Sequence, residues 1–415
     1  MVPSDTGSVH TKFQSENCCP QNKYPNVVTG GLGEKSETAQ ITFQSETSRN
    51  LSIHRRTQVK GLEKTIRQSK FISTTENGLN LIPKTPQIKY LIPRNREQKM
   101  EDEQKKSQPF YWGNTTEEEY YIEQGIKSTK SYYTSPRGLK LFTRSWQPPS
   151  STPPRGIICM VHGYGNDISW TFQATPIFLA QNGFACFALD LQGHGLSQGL
   201  KAYVPNVDLV VEDCISFFNC VLTQDPILQN LPRFLYGESM GGAICLLIHF
   251  KTPDFFKGAI FIAPMCKISE KVRPKWPIPE ILTIFARFAP TLPIVPTADL
   301  MQKSVKVPEK KIIAAMNPMR YLGKPRLGTV IELLRVTDYV SRKLTDVKLP
   351  FIVLHGNADV VTDPDVSREL YELSKSEDKT IKIYDGMLHS LLFGETDENI
   401  TIVRGHILKW LNDRC

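Results

Sequence analysis

Residues 233–246 read Arg-Phe-Leu-Tyr-Gly-Glu-Ser-Met-Gly-Gly-Ala-Ile-Cys-Leu. Within them, 237–241 fit the pattern Gly-x-Ser-x-Gly, with an apolar run before it and a helix-like run after it. Gly237 and Gly241 lack a Cβ, so the chain can turn sharply there and hold Ser239 in a strained conformation at the tip. The alternative is an ordinary Gly-rich turn. The flanking runs favour a nucleophile at a helix N-terminus, where a developing negative charge is stabilised.

Continuous apolar runs recur along the chain on both sides of this stretch. They are typical of strands buried on both faces of a sheet, and they lie at 156–161, 184–189, 234–236, 259–263, 351–354 and 381–384. Helix signals separate them, with Thr175, Asn206 and Asp363 as predicted N-caps. Residues 131–133 and 139–146 predict a β-hairpin. Strands alternating with helices predict a mostly parallel sheet with helices on both faces.

The chain divides into two parts by composition. Residues 1–110 are rich in Ser, Thr, Gln and Asn and poor in hydrophobic residues, whereas 111–415 are richer in them. This contrast predicts a disordered extension followed by one α/β domain. The alternation of strands and helices stops between about 265 and 340, where prolines cluster. An insertion of this length predicts a helical cap over the carboxyl edge of the sheet, where ligands bind.

The overall composition argues against several classes of protein. The chain has 415 residues and a formal net charge of +8, which is spread along its length without a basic stripe. A nucleic-acid partner is therefore not expected. No uncharged apolar run approaches the ~20 residues of a transmembrane helix. The nine cysteines form no Cys-x-x-Cys pair, and the first residues do not resemble a signal peptide. We expect a cytoplasmic protein without a metal or other cofactor.

A serine nucleophile needs a base, because its own hydroxyl is a poor nucleophile at neutral pH. On a strand-turn-helix of this kind, the chain order is Ser, then Asp or Glu, then His. Among the histidines after Ser239, His389 lies in a loop just past the last predicted strand, at the sheet edge that would hold the serine. It is the predicted base. The other candidates lie in helices or end a strand, and they are His249, His355 and His406.

The orienting acid is expected in the loop after the preceding strand. Asp359 lies there, in the sequence His355-Gly356-Asn357-Ala358-Asp359. Asp363 precedes a proline and is better explained as a helix cap. Asp385 is too close in sequence to His389 to be the better partner. Asp359 would bind one imidazole nitrogen so that the other faces the serine.

Two backbone amides are expected to hold the oxyanion. One follows the nucleophile, at Met240. The other comes from the loop after an early strand, and we choose the amide of Tyr164. His162 in that loop is a candidate substrate contact, with a structural role in the loop as the alternative. Asp190 and His194 precede the serine and are interpreted as loop-shaping residues, with a position at the pocket rim as the alternative.

Three segments together resemble the monoacylglycerol lipases of the α/β-hydrolase superfamily. They are His162-Gly163-Tyr164-Gly165, Gly237-Glu238-Ser239-Met240-Gly241-Gly242 and the pair Asp359 and His389. The sequence Leu-Asp-Leu-Gln-Gly-His-Gly at 189–195 and the stretch 116–146 are similar to the plant branch, which includes caffeoylshikimate esterase. The likeness covers about residues 110–415. It implies an α/β-hydrolase fold with a mobile cap, and a serine hydrolase with Ser239, Asp359 and His389 as its triad.

The resemblance also implies the class of substrate. Monoacylglycerols, lysophospholipids and small phenolic esters are the expected substrates, with caffeoylshikimate hydrolysis or acyl transfer as alternatives. Some plant members carry an acyltransferase motif, and His162 and Asp167 fit its spacing, although the same loop is needed for the oxyanion. A reading of another class is a receptor that binds a small ligand without catalysis. Such receptors usually lack a triad member, whereas all three are present here.

The predicted cap is rich in apolar side chains. Trp276 and Phe285 are candidate substrate contacts there. The same apolar surface could hold an acyl chain or contact a membrane as a peripheral protein. Packing of these side chains onto the core is the alternative, and the sequence does not decide between them.

Overall fold

A computed structural model describes residues 112–113, 115–267, 278–295 and 300–415. The predicted extension, residues 1–110, lies outside these ranges, as does Trp276. The strands are β1 (Lys127–Thr134), β2 (Lys140–Gln147), β3 (Gly156–Val161), β4 (Phe184–Leu189), β5 (Arg233–Glu238), β6 (Gly258–Ile262), β7 (Phe351–Gly356) and β8 (Lys379–Tyr384). The helices are α1 (Glu117–Glu123), α2 (Ala174–Gln181), α3 (Val207–Gln224), α4 (Pro226–Gln229), α5 (Met240–Lys251), α6 (Ile278–Phe288), α7 (Leu300–Ser304), α8 (Pro308–Ala315), α9 (Leu327–Arg342), α10 (Pro364–Leu373) and α11 (Asp397–Asn412).

The strands form one sheet in the order β1-β2-β4-β3-β5-β6-β7-β8. β1 and β2 pair antiparallel as the predicted hairpin, and β2 pairs antiparallel with β4. The pairs from β4 through β8 are parallel. The predicted mostly parallel sheet is therefore confirmed. Because the parallel strands all end at the same edge, the loops after β3, β5, β7 and β8 lie together there.

Each face of the sheet has its own hydrophobic cluster. On β3, Ile157, Cys159 and Val161 belong to one cluster, and Ile158 and Met160 belong to the other. Helices α3, α5, α9 and α10 contribute to the first cluster, and α2 and α11 contribute to the second. Successive side chains of a strand point to opposite faces, so a strand buried on both faces needs apolar residues throughout. Each large apolar side chain buried this way stabilises the fold by about 1.5–3 kcal/mol.

The predicted strand boundaries hold in the middle of the sheet and shift elsewhere. The runs 156–161 and 184–189 coincide with β3 and β4. β6 ends at Ile262, one residue before the predicted end, because Ala263 has a φ of 42° and leaves the extended conformation. β8 begins at Lys379, two residues before the predicted run. This edge strand is only half-buried along most of its length, so it accommodates polar side chains that the apolar run does not include.

Two of the three predicted N-caps are confirmed. Asn206 accepts a hydrogen bond from the backbone N–H of Leu209 at 3.1 Å, and Asp363 accepts one from that of Asp365 at 3.0 Å. The prediction for Thr175 is wrong, because α2 begins at Ala174 and Thr175 lies within the helix. A 3₁₀ turn runs directly into this helix, so its N-cap position, Gln173, already has helical backbone angles and makes no side-chain cap.

Helices occupy the described chain between β6 and β7. They are α6, α7, α8 and α9, and they fall within the range predicted as a cap, about 265–340. No helix among the described residues is long and apolar enough to cross a membrane.

Candidate active site

A sharp turn joins β5 to α5 and carries Ser239 at its tip. Ser239 has φ 53° and ψ −117°, a backbone conformation that residues other than glycine rarely adopt. A Cβ on Gly237 would lie 2.5 Å from the carbonyl oxygen of Gly241, and a Cβ on Gly241 would lie 2.2 Å from the carbonyl oxygen of Val161. Both contacts are with backbone, which cannot move aside. Glycine is therefore required at these two positions for the strained turn to form.

The backbone around Ser239 is fixed by the neighbouring strand. The Ser239 N–H donates to the carbonyl of Ile262 at 3.0 Å, and the Ser239 carbonyl accepts from the N–H of Met265 at 2.9 Å. Ser239 occupies the N-cap position of α5, yet its side chain makes no capping hydrogen bond. The hydroxyl is therefore not used to satisfy the helix. The first N–H groups of α5, beginning at Met240, have no acceptor within the helix and carry its positive dipole end.

The loop after β3 passes directly beside the serine. A Cβ on Gly163 would lie 3.3 Å from the Cβ and 3.9 Å from the Oγ of Ser239. Next to it, the hydroxyl of Tyr164 donates to the carbonyl of Ala202 at 3.0 Å, which anchors this side chain. Tyr164 and Met240 line the same cavity as Ser239. The two backbone segments predicted to hold an oxyanion are thus both at the serine.

His389 lies in the loop after β8 and is bonded to Asp359. Its Nδ1 donates to Oδ2 of Asp359 at 2.6 Å and lies 3.1 Å from Oγ1 of Thr362. Ser239 and His389 line one cavity. Among the described contacts, no hydrogen bond joins the serine hydroxyl to the His389 ring. Such bonds are often long before substrate binds and tighten in the reactive complex.

Asp359 is buried and accepts hydrogen bonds at both carboxylate oxygens. Oδ1 accepts from the N–H groups of Val361 at 2.7 Å and Thr362 at 3.1 Å. Oδ2 accepts from the Thr362 hydroxyl at 2.9 Å and from the rings of His355 and His389 at 3.0 and 2.6 Å. Burial raises the pKa of this carboxyl, but the hydrogen bonds from His355 and His389 outweigh it and hold the pKa below its usual range. Asp359 is therefore an anion at neutral pH.

His355 ends an apolar strand, so the sequence does not favour it as the base. In the structure it is fully buried. Its contact with Asp359 was not foreseen. His355 lies at the end of β7 and Asp359 follows four positions later. This short separation is the only sequence signal for the contact. The sequence also does not single out Thr362. Its hydroxyl contacts both the Asp359 carboxylate and Nδ1 of His389.

A cavity of about 840 Å³ opens onto Ser239 and His389. Apolar side chains from the chain between β6 and β7 line part of it, and they include Leu300, Met301, Val305, Val330, Leu333 and Leu334. Phe285 is not among the lining residues and is 58% exposed. Its contact with substrate therefore stays a prediction, made for a residue that lies outside the wall of this cavity.

Comparisons with known proteins place the chain among serine hydrolases. A family model described as "Serine aminopeptidase, S33" (Hydrolase_4) matches residues 152–397. Caffeoylshikimate esterase of Arabidopsis thaliana is 43% identical over 305 residues, covering 73% of this chain and 91% of that protein. Monoglyceride lipase of Homo sapiens is 31% identical over 283 residues, covering 67% and 88%.

The chain belongs to this serine hydrolase family. It is of the monoacylglycerol lipase type, as the resemblance implied. A solved structure of a soluble monoglyceride lipase variant from Saccharomyces cerevisiae, in complex with a substrate analog, matches with a TM-score of 0.61. It is 23% identical and covers 68% of this chain and 94% of that one. This likeness shows the fold, and the predicted α/β-hydrolase fold is confirmed.

In this serine hydrolase, His162 is fully buried, and both of its ring nitrogens bond backbone groups. Its Nδ1 donates to the carbonyl of Gly163 at 2.8 Å, and its Nε2 accepts from the N–H of Leu191 at 3.0 Å. The ring does not line the cavity. It joins the loop after β3 to the loop after β4, which is the structural alternative weighed above. We therefore do not propose it as a substrate contact.

Asp167, Asp190 and His194 are also buried in these loops. Asp190 accepts from the N–H groups of Ile168 at 2.9 Å and Leu196 at 2.8 Å. Asp167 accepts from the N–H and hydroxyl of Ser169 and, at 2.6 Å, from the amide of Asn317. None of the three lines the cavity. The side chains of His162 and Asp167 therefore bond within the loops beside the serine.

Among the described residues, no group of three or more His, Cys, Asp and Glu side chains is arranged so that it could hold a metal ion. A second carboxyl lies in the cavity wall beside the serine. Glu238 accepts a hydrogen bond from the Tyr236 hydroxyl, and burial raises its pKa. It also interacts electrostatically with His389.

Proposed function

We propose that the protein hydrolyses carboxylic esters through an acyl-enzyme. Ser239 is the nucleophile, His389 the base and Asp359 the acid that orients it. The backbone amides of Met240 and Tyr164 hold the oxyanion. The observation that carries this proposal is the 2.6 Å hydrogen bond between His389 and Asp359 at a cavity that Ser239 also lines.

The reaction follows from the tautomer that Asp359 imposes. Because Nδ1 of His389 donates to the carboxylate, Nε2 is left as the acceptor. Nε2 takes the hydroxyl proton while Oγ of Ser239 attacks the ester carbonyl carbon, and the resulting oxyanion accepts from the two amides. The intermediate collapses, and the alcohol leaves with the proton from Nε2. Water then gives a proton to Nε2 as its oxygen attacks the acyl carbon. The bond between that carbon and Oγ breaks, Oγ takes the proton back from Nε2, and the acid is released.

The cavity supports an ester with an apolar acyl group. Its volume of about 840 Å³ and its apolar wall suit an acyl chain or an aromatic acid. A monoacylglycerol or a lysophospholipid is the first candidate substrate class. Caffeoylshikimate is the second candidate, since the relative with 43% identity is named for it. Transfer of the acyl group to an alcohol would use the same acyl-enzyme.

Kinetics on a monoacylglycerol and on caffeoylshikimate, measured side by side, test the proposal. We expect turnover of at least one, and kcat/KM values that differ at least tenfold, a difference of about 1.4 kcal/mol in transition-state binding. Products are analysed with and without added glycerol or lysophospholipid, because free acid marks hydrolysis and a new ester marks transfer. A protein that binds either compound but turns over neither would be the receptor instead.

We also propose that the helices between β6 and β7 form a cap whose outer face contacts membranes. On α6, the apolar residues Ile281, Ile284, Phe285 and Phe288 recur on one side of the helix, and all four are exposed. Phe288 is 84% exposed. An apolar stripe that faces outward is typical of helices that lie in a membrane surface. This exposure supports membrane contact over the alternative of packing onto the core.

Replacing Phe288 with aspartate is expected to weaken binding to lipid vesicles by about 10- to 100-fold, because burying a phenylalanine side chain contributes about 1.5–3 kcal/mol. Turnover of a soluble short-chain ester should stay near that of the parent. Vesicle co-sedimentation measures the first effect. Ile122→Asp is the matched control, since Ile122 is a 68% exposed apolar residue on α1, outside the insertion. Equal losses in the two variants would contradict a cap-specific contact.

We propose a reducing, cytoplasmic location for the enzyme. The described residues hold five buried free cysteines, which are Cys159, Cys186, Cys214, Cys245 and Cys266. Buried thiols of this kind behave as small hydrophobic residues, and unpaired cysteines are typical of compartments that keep thiols reduced.

A further inference from the structure

The end of β7 places a second imidazole on the carboxylate that bonds His389. His355 is fully buried, and both of its ring nitrogens are bonded. Nε2 lies 3.0 Å from Oδ2 of Asp359, and Nδ1 lies 2.7 Å from Oγ of Ser367 on α10. The proposed mechanism uses neither His355 nor Ser367.

We infer that His355 is a positioning residue, which holds the Asp359 carboxylate in the orientation that serves His389. This inference rests on the proposed function of the Ser239, His389 and Asp359 set. His355 touches neither substrate nor the reacting atoms, since it is fully buried and does not line the cavity. It acts through Asp359.

The hydrogen-bond chemistry fixes which nitrogen of His355 carries a proton. A carboxylate is acceptor-only, so Nε2 must donate to Asp359. In the neutral ring Nδ1 is then the acceptor, and the Ser367 hydroxyl donates to it. Ser367 is itself fully buried. The arrangement runs from Ser367 through His355 to Asp359 and keeps a donor aimed at Oδ2.

Sharing one oxygen between two imidazoles has an electrostatic consequence. Oδ2 of Asp359 accepts from both His355 and His389. Each donor takes part of the negative charge, so less of it is left to stabilise protonated His389. Removing the His355 donor leaves a stronger anion facing His389. The acid limb of the kcat/KM profile, which reports protonation of the base in the free enzyme, then moves to higher pH.

The described hydrogen bonds of His355 involve Asp359, Thr362 and Ser367, and they involve no other charged group near His389. Glu238 at the end of β5 interacts with His389 electrostatically. The remaining titratable groups that line the cavity, from the loops and the insertion, are Tyr164, Lys267, Arg320, Tyr321, Lys324 and Asp363. A shift of the acid limb on changing His355 alone therefore comes through Asp359.

The test uses a short-chain ester and compares the full-length parent enzyme with two variants at His355 and one control variant. His355→Leu removes the donor, whereas His355→Gln keeps an N–H near the position of Nε2. We expect His355→Leu to lower kcat about 10- to 100-fold, as small displacements of catalytic groups do. KM should stay within about twofold of the parent, and the acid limb should move up by about half a pH unit. His355→Gln should recover most of the rate and return the limb towards that of the parent.

His249→Leu is the matched control for losing a buried histidine. His249 lies near the far end of α5, and its Nε2 accepts from the N–H of Lys348 at 3.3 Å. Its loss should lower thermal stability without moving the acid limb. A folded His355→Leu enzyme with the kcat and acid limb of the parent would overturn the inference. An equal loss of rate in His355→Gln and His355→Leu, without a shift, would also overturn it, because that pattern marks a role in packing.

A measurement on the unmodified enzyme decides the matter if His355→Leu does not fold. Nitrogen NMR of labelled histidine should show His355 with its proton on Nε2. A proton on Nδ1 alone would mean that His355 does not donate to Asp359, which overturns the inference. Failure of the proposed function looks different, because the parent enzyme would then turn over no ester while the NMR result would stand.

Discussion

Replacing Ser239 with alanine abolishes ester turnover, with an expected fall of about 10⁶ in the chemical step. Removing the nucleophile or the base alone costs about as much as removing the whole nucleophile–base–acid set, because these groups act as a unit. The fold should be retained, since the Ser239 side chain makes no capping hydrogen bond to α5. The measurement is kcat on a short p-nitrophenyl ester, together with thermal unfolding of both proteins.

Covalent labelling gives a second readout for the same variant. The parent enzyme should react with a fluorophosphonate at Ser239, and the alanine variant should not. Ser341→Ala is the control, because Ser341 lies near the end of α9 and its hydroxyl bonds only locally, to the carbonyl of Asp338. Activity of Ser239→Ala within twofold of the parent would end the assignment of the nucleophile. An unlabelled parent enzyme would favour the receptor.

The positions of Ser239, Asp359 and His389 could be predicted from the sequence because each follows a strand. Parallel strands end at one edge, so the loops after β5, β7 and β8 must meet there. Chain order then left few candidates for the base and the acid. The glycines at 237 and 241 are needed for close approach of backbone to backbone, and that requirement leaves a local mark in the sequence.

The contacts that involve buried polar groups could not be predicted. His355 belongs to an apolar strand, and nothing in its neighbours shows that its ring meets a carboxylate rather than a backbone group. His162 is the reverse case. Its place in the loop after β3 makes it a candidate substrate contact, but its ring nitrogens bond only backbone groups. The direction of a side chain depends on tertiary packing, which a single sequence does not encode locally.

The apolar face of α6 shows a limit of periodicity. The spacing of Ile281, Ile284, Phe285 and Phe288 predicts an amphipathic helix. Periodicity alone does not say whether the apolar side faces the core or the outside. In the structure these four side chains are exposed, whereas Leu282 and Ala286 are less so. Because α6 belongs to the stretch between β6 and β7 and its apolar side is exposed, the usual assumption of inward packing fails here.

Replacing Asp359 with asparagine is expected to lower kcat about 10⁴-fold, the second-largest effect we foresee. The side chain keeps its shape but loses its charge and gains an NH₂ group. In the parent enzyme, Oδ2 of Asp359 accepts from two ring N–H groups and from the Thr362 hydroxyl. An amide NH₂ in that place would oppose those donors, and an amide oxygen there would accept more weakly. His389 can then take the tautomer with its proton on Nε2, which leaves no base facing Ser239.

The pH dependence separates this effect from simple loss of an acid. The pKa of Asp359 is held below its usual range, so the carboxylate stays charged as the pH falls from 7 to about 5, and its contribution to stability is lost only below that interval. The acid limb of the parent profile therefore does not report protonation of Asp359. Raising the pH should not rescue Asp359→Asn, because the missing charge is not a matter of protonation. Asp385→Asn is the matched control, since Asp385 is exposed and accepts from the amide of Asn357. Comparable activity in the two variants would refute the role of Asp359, and a large loss only in Asp385→Asn would transfer it to the acid that the sequence ranked lower.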